Sequence, residues 1–382
     1  MALTVLVYQR TGSALLSAAT FAISYLPWVV GGPVLAALAD RFPRHRVLVT
    51  SDLVRAGLVG LMALPGMPLA GLLALLLAVS VAAPPFEAAR SALRADVFPD
   101  DRYAVANSLD SAVQQLAQLV GFLLGGALVV WVDTTTALLL DAATFLLSAV
   151  WLAAALRRRP APRADGTGSL WRQTTEGMRL VRSSPRLVAI VALLWSGLLF
   201  VNAPEGIATP LSVELLGGTA AVGLVLAANP AGAVVGSLVI GRLPARLREQ
   251  LLVPLVVASL ASLLAAGLLA RWIGGRPGLV LLVVLLVVSG LTSVWIVPLN
   301  TLFVHAVPAE FRGRAFGVAV AGLYGVQGLG AVLAGLGAEA APPTWVVAVT
   351  GALGLLVALP PALALRRTRS GTTAAGAGPS EP

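Results

Sequence analysis

Gly31 to Arg46 reads GGPVLAALADRFPRHR, an apolar run that stops at Asp40 and Arg41, with further cations at Arg44 and Arg46. An acid and three arginines at the end of an apolar helix suit a short hinge between two membrane spans. Such a hinge belongs on the cytoplasmic side, where cations are preferentially retained. The rest of the chain can be laid out from it.

Of the 382 residues, 58% are hydrophobic and 11% charged, with a mean hydropathy of +0.91. An ordinary soluble domain is about 45–50% apolar, so this composition describes an all-α polytopic membrane protein. Its apolar stretches are continuous over about 20 residues rather than alternating over about 10, which favours spanning helices over a barrel. Lipid permits little else, because each backbone N–H and C=O must find its partner within the protein. All 26 basic residues are arginine. The absence of lysine excludes a P-loop lysine and a lysine Schiff base. There is no cysteine, and His45 and His305 are the only histidines, too few for the usual zinc sites. ATP-driven transport by this chain alone is therefore not expected; nor is a cofactor, a metal or enzymatic activity. The formal charge of +9 would suit nucleic acid, but the arginines lie in short loops between spans, so no nucleic-acid partner is expected.

Met1 to Tyr8 is apolar but too short for a span, which needs about 20 residues. It reads as the end of a first helix whose beginning is missing, either because the biological start lies upstream or because this is a truncated gene product, and eleven complete spans remain. The third span carries Asp52 and Arg55 one turn apart, close enough to neutralise each other. In the fourth, Pro84 and Pro85 interrupt the helix ahead of Glu87 and Arg90, which form either a local pair or part of a gate. Along the fifth, Asn107, Asp110, Ser111, Gln114, Gln118, Gly121 and Gly125 recur at steps of mainly three and four and so share a face. That face must point at protein or water, as a helix interface or as the wall of a substrate cavity. The sixth span contains Asp141.

Residues 157–186 are hydrophilic, with Pro160, Pro162, Gly166 and Gly168 ahead of a segment that could start an amphipathic helix. They read as a cytoplasmic linker between helical bundles 1–156 and 187–365, with 366–382 a disordered cytoplasmic tail. The seventh span is interrupted by Asn202, Ala203, Pro204, Glu205 and Gly206. Either a broken helix turns this acid and its freed backbone groups toward a cavity, or Glu205 lies at the outer surface. Glu214 is expected in the outer loop. Asn300, Tyr324 and Gln327 are the polar candidates of the second half. Gly241 to Arg248 is a degenerate copy of the first hinge. The similar spacings from Asp40 to Pro99 and from Arg242 to Pro308 imply two similar six-helix halves. Only Arg10, Arg271 and Arg276 fall on the side opposite the other loop arginines, and Arg55 lies within a span, so the hinge and the C-terminus face the cytoplasm across the inner cell membrane.

The hinge resembles the loop between the second and third helices of major facilitator superfamily transporters, usually written G-x-x-x-D-R-x-G-R-R. Asp40, Arg41, Arg44 and Arg46 fit it, while Ala36 and Pro43 stand where glycines are usual. Val307 to Arg314 resembles the basic loop that opens the eleventh helix there, with Arg312 and Arg314 as its cations. Gly121, Gly125 and Gly126 are similar to the G-P-x-x-G-G signature of proton-coupled exporters, with Phe122 in place of the proline. Together with LDAATFLLSA at Leu140 to Ala149, the chain resembles the bacterial exporters of siderophores and macrolides. The resemblance implies a monomer in which two six-helix bundles rock about a central site, expelling a small hydrophobic or amphipathic molecule in exchange for protons. Asp40, Arg41, Arg44, Arg46, Arg312 and Arg314 would then gate, and Glu205, Asp110 or Asp141 would carry the proton. Gln114, Gln118, Asn202, Tyr324 and Gln327 would line the site, and the three glycines would pack helices. A non-transporting receptor or scaffold on the same fold, or uptake or lipid flipping, are the alternatives.

Overall fold

The computed structural model describes residues 1–30, 42–97, 101–156, 170–308 and 312–375, at some helical positions by their backbone alone. Every regular element described is helical. Helix α1 (Ala2–Thr11) ends at Gly12, whose φ of +67° lets the chain reverse at once. Ser13 then caps α2 (Ala14–Ile23) by accepting from the Leu16 amide, and α3 (Leu26–Val30) follows. The hinge at Gly31 to Arg41 lies outside the described residues. Beyond it come α4 (Arg44–Met62), α5 (Leu69–Val81) and α6 (Ala83–Val97). The break at Ala82 sits just ahead of Pro84 and Pro85, which cannot donate to the preceding turn. Helices α7 (Asp101–Trp131) and α8 (Thr134–Ala155) meet at a short turn. There the Asp133 carboxylate accepts from the Thr135 and Thr136 amides and caps α8.

After α9 (Leu170–Ser183), Ser184 and Pro185 start α10 (Pro185–Val201). The expected interruption follows as two short pieces, α11 (Ala203–Gly206) and α12 (Ala208–Leu216). Next come α13 (Val222–Gly241), α14 (Ala245–Gln250), α15 (Leu252–Ile273) and α16 (Gly275–Thr292). A 3₁₀ turn at Ser293–Trp295 separates α16 from α17 (Ile296–Ala306), and α18 (Arg312–Ala340) and α19 (Pro343–Ala375) complete the chain. Among the described residues, 8 stretches are long and apolar enough to cross a membrane. Two expectations need correction. The first ten residues of the 366–382 tail expected to be disordered continue α19, which ends at Ala375. Glu214 lies in the last turn of α12 rather than in a loop, because the helix runs on to Leu216 and stops at Gly217, whose φ is +68°. The Glu214 carboxylate accepts from the Thr344 amide and hydroxyl at 2.8 and 2.7 Å.

The helices of residues 187–365 share one continuous apolar core, with Trp295 fully buried in it. Lipid is as apolar as leucine, so such helices gain from close approach rather than from leaving water. Accordingly α15 and α19 cross where Gly267 faces the backbone of Ala348 and Gly351 that of Leu264. Helices α13 and α16 cross where Gly232 faces the Val287 carbonyl and Gly290 that of Asn229. Buried Ser259 and Ser289 each donate to the other's carbonyl, at 3.1 and 3.0 Å. The first half has two smaller clusters, one around Leu72 and Met62, the other around Leu48 and Ala89.

The halves meet mainly along α2 against α18 and α7 against α13. A Cβ on Gly126 would lie 2.5 Å from the Gly223 Cα, and one on Gly335 would lie 2.5 Å from the Ala18 Cβ. Both crossings are near the end of the bundle where Arg10 donates to the Met67 carbonyl at 3.1 Å, the arginine-poor end.

Candidate functional site

Charged side chains of the first half form a paired belt. On α4, Asp52 is 2% exposed and accepts from Ser148 of α8 at 2.6 Å, with Arg55 at 3.6 Å. The Arg55 guanidinium lies over the rings of Phe86 and Phe145, at 4.9 and 5.7 Å, which offsets part of the cost of holding a cation there. On α6, Glu87 pairs with Arg90 at 3.0 Å, and Arg90 reaches Asp110 of α7 at 3.4 Å. Arg94 also pairs with Asp110. The two pairs three residues apart were legible in the sequence. Arg94 was missed, although Glu87, Arg90 and Arg94 share a helical face. Asp110, a proton-carrier candidate, is thus the counter-ion of two arginines.

Of the gating candidates, Arg44 donates to the Ala92 carbonyl at 3.0 Å and ties α4 to α6, and Arg46 is exposed. Asp40 and Arg41 lie outside the described residues, as do the side chains of Arg312, Arg314, Asn107 and Ser111.

The broken seventh span forms a second locus. Pro204 has no N–H, and Gly206 allows close approach, since a Cβ there would lie 2.7 Å from the Ala331 Cα of α18. Half-buried Glu205 lies between these two residues, within electrostatic reach of Tyr25 beyond α2. Among the described residues its carboxylate has no salt bridge. Tyr25 and Trp28 stack on Tyr324 of α18, with centroids 6.0 and 4.7 Å apart, and Phe21 meets Tyr25 edge-on at 5.6 Å. The Trp195 indole of α10 donates to the Ala319 carbonyl of α18 at 3.0 Å. An acid with no salt bridge among the described residues and an aromatic stack therefore stand together where the halves meet. Asn202 and Gln327 are half-buried on the same second-half elements. Tyr25 and Trp28 were missed; their spacing of three in an apolar run was the available signal.

Asp141 lies elsewhere. It lines a cavity of about 490 Å³ within the first half, together with Thr20, Ser24, Gly121, Gly125 and Thr144. Gln114 and Gln118 are exposed. Of the three glycines expected to pack helices, Gly126 makes the α13 crossing. A Cβ on Gly125 would meet only the Met1 sulfur, at 3.6 Å, and one on Gly121 would meet nothing within 4 Å. No group among the described residues could hold a metal ion.

The Major Facilitator Superfamily model matches residues 1–217 and 206–381. Macrolide efflux protein A of Streptococcus pyogenes is 22% identical over 349 residues, covering 89% of this chain and 84% of that protein. The multidrug efflux pump Tap of Mycolicibacterium fortuitum is 28% identical over 359 residues, covering 88% and 84%. Among solved structures, the nucleoside transporter NupG superposes with a TM-score of 0.71 at 16% identity, covering 95% of this chain and 94% of that one. The peptide transporter POT bound to alafosfalin also gives 0.71 at 16% identity, covering 96% and 91%. The expected fold and the absence of enzymatic function are borne out: the chain is a multi-pass membrane transporter and belongs to the major facilitator superfamily.

Proposed function

We propose that this transporter is a secondary exporter of a small, fairly hydrophobic compound, driven by proton antiport across the cell membrane. Two bundles, 1–156 and 187–365, alternate about the Glu205 locus, with residues 157–186 and the C-terminus on the cytoplasmic side. The observation that carries this reading is where the halves touch. Gly126 meets Gly223 and Gly335 meets Ala18 near the arginine-poor end, so the arrangement suits a state closed to the outside. The relatives named for macrolide and multidrug efflux support a drug-like organic substrate and an outward direction. Glu205 suits the proton because no arginine pairs with it among the described residues. It can take up and release a proton without breaking an ion pair, whereas Asp110 has two such pairs to lose.

Uptake of a labelled macrolide into everted and right-side-out vesicles tests the reading. An imposed proton gradient should drive accumulation only in everted vesicles, and a protonophore should abolish it. Glu205→Gln should lose this gradient-driven accumulation while retaining exchange of labelled for unlabelled compound. Accumulation in right-side-out vesicles alone would reverse the assigned direction, and full gradient coupling in the variant would remove Glu205 from the proton path.

A further inference from the structure

Glu339 stands in the last turn of α18, where the partial negative charge of its own helix end disfavours a carboxylate. The α18 helix therefore gives no reason for an acid there. The reason lies across the boundary between the halves. The Glu339 Oε1 atom accepts from the Ser13 hydroxyl at 2.5 Å and from the Leu15 amide at 2.9 Å. These groups begin α2, whose first N–H groups have no partner within the helix and whose dipole favours an anion. Ser13 already caps α2 by accepting from the Leu16 amide at 3.1 Å, so the carboxylate is a second cap supplied by the other half of the molecule. Beneath it, Gly335 admits the backbone of α2, since a Cβ there would lie 3.1 Å from the Leu15 Cα and 3.2 Å from the Ala14 carbonyl oxygen.

Glu214 makes the same kind of contact with a different consequence. It caps the start of α19 within the second half, and its side chain is 17% exposed with Arg271 at 3.8 Å. Opening it would strand a largely buried carboxylate. Glu339 is exposed and, among the described residues, has no arginine beside it. Water can replace Ser13 and Leu15 when the helices part, so this contact is built to break and re-form.

We infer that Glu339 and the Ser13–Leu15 start of α2 form a reversible latch between the halves, holding the arginine-poor end closed. The inference rests on the alternating-access reading above. The chain has no cysteine, so a Ser13→Cys/Glu339→Cys pair can be introduced without background. Oxidation should form the disulfide in membranes and reduce macrolide flux at least tenfold, and reduction should restore it. Neither single variant should respond to oxidant. In a second measurement, Glu339→Ala should raise labelling of an Ala14→Cys reporter, buried at this crossing, by a membrane-impermeant maleimide applied from the arginine-poor side. Glu339→Gln, which keeps an acceptor but loses the charge, should lie between.

Absence of cross-linking would show that these helix ends do not meet. Full flux through the oxidised pair, or unchanged reporter labelling in Glu339→Ala, would show that they meet without gating. Loss of flux in the unsubstituted chain would overturn the transport reading itself, and the latch with it.

Discussion

The two halves hold their helices together by different means. Among the described residues, 17% of the most apolar stretch is buried in the two long apolar spans of the first half, against 33 to 56% in those of the second. The second half closes on glycine crossings and one shared core, with Ser259 and Ser289 joined inside it. The first half relies on charges, the Asp52–Arg55 pair with Ser148 and the Glu87, Arg90, Arg94 and Asp110 group. Where lipid removes the hydrophobic drive, a helix pair can be held by close contact or by polar partners. Here each half has taken mainly one of these routes. A body packed through backbone contacts resists sliding, whereas ion pairs with long side chains tolerate small shifts. The contrast suits a transporter in which the second half serves as the stiffer frame.

The largest effect that would break this contrast is expected at Gly267. A leucine there would drive into the Ala348 backbone, and the folded monodisperse protein recovered in detergent should fall to little or nothing. Gly121→Leu, facing open space, should leave recovery nearly unchanged. Equal losses at both sites would mean that the halves do not differ in this way.

A smaller effect is expected from Asp52→Ala, which leaves the Arg55 cation between Phe86 and Phe145 without its acid. Removing one member of a buried pair costs about 3–5 kcal/mol, which thermal unfolding would register as a large drop in Tm. Adding Arg55→Leu should recover part of the loss. Failure of the double variant to recover would mean that Asp52 acts through Ser148 alone.

The smallest effect is expected at Asp133, at the exposed turn before α8. The Thr136 hydroxyl, its amide and the Thr135 groups hold this carboxyl below the usual carboxylate range. Its stabilisation is therefore present above the unfolded value of about 3.9 and is lost as pH falls through the lower folded value. Asp133→Ala should lower Tm slightly at neutral pH, and the gap from the unsubstituted protein should close under strong acid. A gap that persisted there would show that the cap acts without its charge.

What the sequence made legible was local. Apolar length gave the eight long apolar spans among the described residues, Pro84 and Pro204 the breaks, and spacings of three the Asp52–Arg55 and Glu87–Arg90 pairs. Contacts across the fold were not legible. Glu339 meets residues near the chain's start, and Glu214 meets Thr344. Nothing local marks these partners. Gly121 and Gly126 look alike in sequence, and only the path of α13 beside the second distinguishes them. The stack of Tyr25 and Trp28 on Tyr324 likewise needs both halves in place.

The central claim is that the two ends open in turn, and paired distance measurements test it most directly. Spin labels at exposed Arg10 and Trp272 would report the arginine-poor end, and labels at exposed Arg46 and Arg246 the arginine-rich end. As substrate and a proton gradient shift the population, one distance should lengthen as the other shortens. Distances that stayed fixed at both ends, or lengthened together, would contradict alternation between the halves.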